Sequence, residues 1–144
     1  MFSISHLHPM LVHFPIALTM VGIAFELIRF YCCKAETTTK LHSGELLLYI
    51  ATVSAVLALL AGFLFTGSFS GITLEVRNQH VLLAVLATVA LSLASFFYLL
   101  VRLGRQNGKL FRIVGLLFYV LSALLIGATG YVGGNLVYTY MIGL

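Results

Sequence analysis

The chain has 144 residues, of which 61% are hydrophobic and 8% are charged, and its formal net charge is +4. Soluble domains carry roughly 25% charged residues, so this composition excludes an ordinary soluble protein and indicates a membrane protein. The excess positive charge is interpreted as a topology signal, and nucleic acid is not expected as a partner. A chain of this length has room for a single domain, spanning residues 1–144.

Four apolar blocks follow one another along the chain. In order they cover residues 9–31, 45–67, 80–103 and 110–134. Each is long enough to cross a hydrocarbon core of about 30 Å as a helix. The connections are short, which makes consecutive helices antiparallel neighbours. The sequence therefore predicts an all-α, polytopic membrane protein, with four transmembrane helices forming an up-down bundle in a lipid bilayer.

Basic residues mark two of the three connections. Arg29, Lys34 and Lys40 surround the first, Arg102, Arg105, Lys109 and Arg112 surround the third, and Arg77 alone marks the second. Because basic residues are retained in the cytoplasm, both termini and the second connection are predicted to lie outside it. Cys32 and Cys33 then lie on the cytoplasmic side, where thiols stay reduced.

Histidines of the first and third helices meet at the outer end of this topology. His13 lies inside the first apolar block, and His80 begins the third. An ionisable side chain at that depth is costly unless it faces the bundle interior and has a partner. Since the first and third helices are diagonal in an up-down bundle, His13 and His80 are expected to face each other across its centre.

Small side chains line the helix faces near these two histidines. They include Ala17, Ala84, Gly130 and Gly134. Small residues can simply let helices approach closely. Alternatively, they can flank a flat cofactor, with His13 and His80 as axial ligands of a haem b iron and the four small residues lining the cofactor site.

Other ionisable residues of the first helix are assigned weaker or structural roles. His8 precedes Pro9, and a proline suits the first turn of a helix. His6 and His8, spaced His-x-His, are weaker metal-ligand candidates, either for haem iron or for copper or zinc at the outer surface. Glu26 and Arg29, three residues apart, are predicted to pair as an interfacial anchor.

Four features of the sequence are distinctive: the opening HPMLVHFPIAL, the AGFLFTG that ends the second block, the histidine that begins the third block, and the late GGNLVY. Together they resemble a bacterial membrane family, domain of unknown function 2231 (DUF2231). The resemblance covers nearly the whole chain. It implies a four-helix protein of the bacterial inner membrane in a respiratory or other electron-transfer context, associated with other membrane or cytochrome subunits. The family commonly has a histidine where this chain has Tyr140.

Three functions are compatible with these features. The first is a small haem b-binding electron-transfer subunit that uses His13 and His80. The second is a non-catalytic structural or assembly subunit whose histidines only hydrogen-bond. A metal or small-molecule permease is disfavoured, because four helices offer little room for a pathway. The chain has no aspartate and no hydrolase or transferase motif, so any activity is expected to be electron transfer at most.

Overall fold

A computed structural model describes residues 7–32, 42–65, 71–104 and 108–139. Within these residues the chain forms α1 (Leu7–Leu11), α2 (His13–Cys32), α3 (Ser43–Phe65), α4 (Ile72–Arg102) and α5 (Gly108–Tyr138). Several residues used in the sequence analysis lie outside the described parts, namely His6, Cys33, Lys34, Lys40, Arg105 and Tyr140.

Four stretches of the described chain are long and apolar enough to cross a membrane. They are His8–Tyr31, Ser43–Leu64, Ile72–Arg102 and Gly108–Tyr138. The predicted all-α architecture with four spans is therefore confirmed. The third helix begins eight residues before the predicted start at residue 80. The apolar pattern did not predict the polar first turns of this helix, because a helix can continue beyond the hydrocarbon core into the interface.

The helices pack in the ring order expected of an up-down bundle. Helix α2 packs against α3 and α5, and α4 also packs against α3 and α5, so α2 and α4 lie diagonally. Helix α1 packs against α3 and α2. The molecule consequently has two ends: a histidine end, where α1 and the start of α4 meet, and a glutamate end, where α2 ends and α3 begins.

Pro15 explains the break between α1 and α2. A proline has no N–H to donate and its ring clashes with the carbonyl four residues earlier, which here belongs to Leu11, the last residue of α1. The chain crosses the break with a bond from the Val12 N–H to the His8 carbonyl, at 3.1 Å. Helix α1, which carries His8, packs mainly against α3.

The middle of the bundle is built from small side chains on α3 and α4. The buried alanines are Ala51, Ala55, Ala58, Ala61, Ala87, Ala90 and Ala94. Lipid tails are as apolar as a protein core, so helices in a membrane are held by close packing and by interhelical hydrogen bonds. Here the Thr52 and Ser95 hydroxyls share a hydrogen bond of 2.8 Å between α3 and α4.

Replacing Thr52 with valine is expected to lower the free energy of unfolding by about 0.6 kcal/mol, the usual contribution of one such bond in a membrane. Thr88→Val is the matched control, because the Thr88 hydroxyl donates only within its helix, to the Ala84 carbonyl at 2.8 Å. Unfolding in mixed micelles, followed by circular dichroism, measures both. Equal losses for the two variants would show that the bond between α3 and α4 contributes nothing.

Candidate functional site

His8 is held against α3 by a hydrogen bond and by a glycine. Its Nδ1–H donates to the Ala58 carbonyl at 2.9 Å. The ring lies over Gly62, where a Cβ would come within 3.0 Å of His8 Cε1. Gly62 follows Ala58 by four residues, and a helical Cβ is tilted toward the helix N-terminus. The absence of a side chain at Gly62 therefore leaves the Ala58 carbonyl open to a side chain from another helix.

His80 repeats this arrangement against α5. Its Nδ1 lies 3.1 Å from the Thr129 carbonyl, and a carbonyl can only accept, so Nδ1 carries the proton. A Cβ on Gly133, four residues after Thr129, would come within 2.9 Å of His80 Cε1. Both histidines are thus bound to a helix carbonyl that a glycine one turn later leaves accessible.

The two imidazoles lie beside each other at the histidine end. Their ring centroids are 6.2 Å apart and their planes are nearly perpendicular, at 87°. Since each Nδ1 is the donor in a carbonyl bond, each Nε2 keeps a lone pair that can bind a metal. A backbone carbonyl that accepts from the other ring nitrogen is the usual support of a metal-bound histidine, because it fixes the tautomer and orients the ring.

His13 occupies a different position from the one expected. It is exposed, and its Nδ1 donates to the Pro9 carbonyl one turn earlier, at 2.7 Å. The expectation that His13 faces the bundle interior is wrong. Residues five apart on a helix differ in direction by about 140°, so His8 and His13 cannot both face inward. The structure brings His8 to His80 and leaves His13 outside.

The small residues singled out in the sequence differ in their burial. Ala17 and Gly130 are exposed, and Ala84 and Gly134 are half-buried. A Cβ on Gly134 would meet nothing within 4 Å. The glycines that contact the rings are Gly62 and Gly133, which belong to the small-residue faces of the second and fourth spans but were not among the predicted site residues. Each of these glycines follows a small residue by four positions in the sequence, as Ala58 with Gly62 and Thr129 with Gly133.

The ligand roles themselves stay predictions. Two imidazoles are sufficient for the axial ligation of a haem. Among the described residues, no three His, Cys, Asp or Glu side chains come together as a metal site. His6 lies outside those residues, so the copper or zinc site of His6 and His8 also stays a prediction.

Gly133→Ala is expected to push the His80 ring by a few tenths of an ångström and to lower the free energy of unfolding by about 1 kcal/mol. Its neighbour Gly134 provides the control, because an added methyl there meets open space. Gly134→Ala should leave stability unchanged or raise it slightly, since alanine is the better helix former. Identical losses in the two variants would contradict the packing of His80 on Gly133.

A second polar group lies at the glutamate end. Glu26 is only 1% exposed, and its Oε2 accepts a hydrogen bond from the Tyr98 hydroxyl at 2.9 Å. Arg29 Nη1 lies 3.4 Å from Glu26 Oε1 and 3.9 Å from Oε1 of Glu45. The predicted pair of Glu26 and Arg29 is confirmed. Glu26 is inside the bundle and also bonds to the diagonal helix, a contact that the sequence did not predict.

Glycines also make room for this second group. A Cβ on Gly44 would lie 2.6 Å from Glu26 Cγ, and one on Gly115 would lie 2.8 Å from the Tyr98 ring. The Tyr119 hydroxyl packs directly on Gly22. The helices therefore approach closely at the places where one of them presents a polar side chain and the other has a glycine.

Comparison with known proteins identifies one family. The sequence profile of the DUF2231 family, described as a predicted membrane protein, matches residues 5–144. No curated protein gives a significant match, and no solved structure does so either.

Proposed function

The chain belongs to the DUF2231 family of predicted membrane proteins, and we propose that it is a haem b-binding electron-transfer subunit with His8 and His80 as the axial ligands. In this proposal His8 replaces His13, the partner expected from the sequence. The subunit would work in a respiratory or other redox complex of the bacterial inner membrane, alongside membrane or cytochrome subunits.

The observation that carries the proposal is the geometry of the two imidazoles. Two rings on opposite sides of one iron have centres about 6 Å apart, because each metal–nitrogen bond is about 2 Å and each nitrogen lies about 1 Å from its ring centre. The centroids of His8 and His80 are 6.2 Å apart. The two Nδ1 bonds to carbonyls fix the tautomer that ligation requires.

A bound haem would supply one-electron chemistry. The chain's own residues would position it and set its surroundings. The Ala58 and Thr129 carbonyls hold the rings and raise the basicity of their Nε2 atoms. Both rings are half-buried among the apolar spans, and burial is one of the factors that tune a haem potential.

The test is the absorption spectrum of the full-length protein, purified in detergent from cells supplied with haem. We expect a Soret band in the oxidised protein and sharp α and β bands after dithionite reduction, as for a low-spin iron with two nitrogen ligands. A preparation from haem-replete cells without a Soret band would overturn the proposal.

A structural or assembly subunit is the second candidate, and one observation favours it. His8 on α1 bonds to α3, and His80 on α4 bonds to α5, so both rings already link helices without a cofactor. In that case no haem spectrum appears, and replacing either histidine only lowers the free energy of unfolding.

The orientation of the protein is a further part of the proposal. The basic residues predict that the histidine end faces outward and that the glutamate end faces the cytoplasm. In a background with Cys32→Ser and Cys33→Ser, Ile72→Cys and Leu103→Cys form a matched pair, since both positions are 64% exposed and lie at opposite ends of α4. An impermeant maleimide added to spheroplasts should label residue 72 and not residue 103; the reverse pattern would invert the topology.

A further inference from the structure

The polar first turns of α4 extend past the histidine pair. Helix α4 begins at Ile72, eight residues before His80. At 1.5 Å per residue, these turns carry the helix about 12 Å beyond His80 at the histidine end. Their charged members are Glu75 and Arg77. The proposed haem site therefore lies about two turns below the start of α4.

Arg77 lies on the same face of α4 as His80. The two residues are three apart, so their side chains are neighbours on the helix surface, and Arg77 is about 4.5 Å farther along the axis. Arg77 is half-buried, whereas Glu75, Asn78 and Gln79 are exposed. The charge of Arg77 also acts on the His80 imidazole. Arg77 is thus the charged residue that α4 places beside the histidine pair.

The position of Arg77 does not follow from the topology of the protein. Among the residues that the structure describes, it is the one Lys or Arg at the histidine end. The other four lie at the glutamate end, namely Arg29, Arg102, Lys109 and Arg112. Retention of basic residues in the cytoplasm accounts for that group but not for Arg77. An ionisable side chain in a membrane span is costly, which makes a half-buried Arg77 a candidate for a binding role.

Glu75 occupies a different side of the helix. It precedes Arg77 by two residues, which corresponds to about 200° around the helix axis, and side chains spaced in this way do not face each other. Glu75 is exposed. The carboxylate that lies nearest to Arg77 in the sequence is therefore directed away from the face that carries His80.

A haem b supplies carboxylates of its own. It has two propionate groups on one edge of the macrocycle, and a carboxylate removed from water requires a cation or hydrogen-bond donors. Arginine matches a carboxylate in charge and in shape, because its planar guanidinium donates two parallel N–H bonds. The propionate edge is the polar edge, so it is expected to point to the nearer end of the bundle. This is the direction in which Arg77 lies from His80.

We propose that Arg77 binds a haem propionate, a role that rests on the haem b function proposed above. The guanidinium donates hydrogen bonds to the carboxylate, while His8 and His80 ligate the iron. This contact holds the propionate edge at the histidine end and balances one of its two negative charges. It involves hydrogen bonds alone, with no covalent bond formed and no electron transferred.

Haem b and its dimethyl ester together test this contact. The ester has the same iron and macrocycle, but its two propionates carry no charge. Each is titrated into the full-length protein, purified in detergent from cells grown without added haem, and the Soret band measures binding. Arg77→Gln should bind haem b about tenfold more weakly than the unaltered protein, the usual effect of losing one hydrogen bond to a charged group. The ester should bind both proteins equally.

Two further variants serve as controls. Glu75→Gln removes an exposed charge from the same turns of α4, and it should bind haem b as tightly as the unaltered protein. Arg77→Lys keeps the positive charge without the two-bond geometry, so its affinity for haem b should lie between those of Arg77→Gln and the unaltered protein. Circular dichroism shows whether each variant remains folded.

The possible failures of this role and of the haem b function can be told apart. If Arg77→Gln weakened the binding of haem b and of the ester equally, Arg77 would only support His80, and the propionate contact would be overturned. An unchanged affinity of Arg77→Gln for haem b would overturn it as well. Both of these outcomes leave ligation by His8 and His80 intact. If neither compound gave a Soret band with the unaltered protein, the haem b function would fail, and the role of Arg77 with it.

Discussion

Alanine in place of His8, or in place of His80, is expected to abolish the low-spin haem spectrum, whereas His13→Ala should leave it unchanged. Each of the first two variants removes one of the imidazoles whose centroids are 6.2 Å apart. The third removes an exposed ring that bonds only to its own helix. Absorption spectra of the reduced and oxidised variants, with haem content determined separately, measure the effect.

A second pair of variants separates ligation from folding. His8→Gly and His80→Gly leave space for a free imidazole, so added imidazole should restore the low-spin spectrum if the missing side chain was a ligand. A variant that is merely unfolded will not respond. Loss of the spectrum in His13→Ala, with His8→Ala unaffected, would return ligation to the pair expected from the sequence.

The sequence did not determine which of His8 and His13 faces the bundle interior. Hydropathy locates four spans, because only a helix satisfies its own backbone in lipid. It does not give the rotation of each helix about its axis. His8 and His13 are five residues apart, about 140° around a helix, so only one of them can face inward, and the apolar pattern does not say which. In the structure His8 bonds to α3 and lies beside His80.

The contacts of the individual glycines could not be predicted either, because they also depend on how the helices pack. Gly133 and Gly134 are adjacent, and the sequence alone does not distinguish them. A Cβ added to Gly133 would collide with the His80 ring, whereas a Cβ added to Gly134 would meet no atom within 4 Å. Only the packing of α4 against α5 distinguishes them. The same holds for Glu26, whose neighbour in sequence, Arg29, was predictable, while its partner Tyr98 lies 72 positions away.

The close approach of α2 and α3 at Gly22 and Gly44 should make these two positions the least tolerant glycines at the glutamate end. A Cβ on Gly44 would lie 2.6 Å from Glu26 Cγ and 3.0 Å from the Gly22 carbonyl oxygen, and a backbone atom cannot move aside as a side-chain end can. Gly44→Ala is therefore expected to lower the free energy of unfolding by about 3 kcal/mol, the upper end of the range for an overpacked interior.

Gly22→Ala allows this explanation to be tested by rescue, since its methyl collides first with the Tyr119 hydroxyl. Tyr119→Phe removes that oxygen, so the double variant should recover part of the loss, and the coupling between the two positions in a double-mutant cycle should be favourable by about 1 kcal/mol. Gly127→Ala, which meets only Met20 Cε at 3.9 Å, controls for alanine in a helix. If the changes in unfolding free energy of Gly22→Ala and Tyr119→Phe were fully additive, the Tyr119 hydroxyl would not be the reason that position 22 requires a glycine. Other contacts would then hold α2 and α3 together.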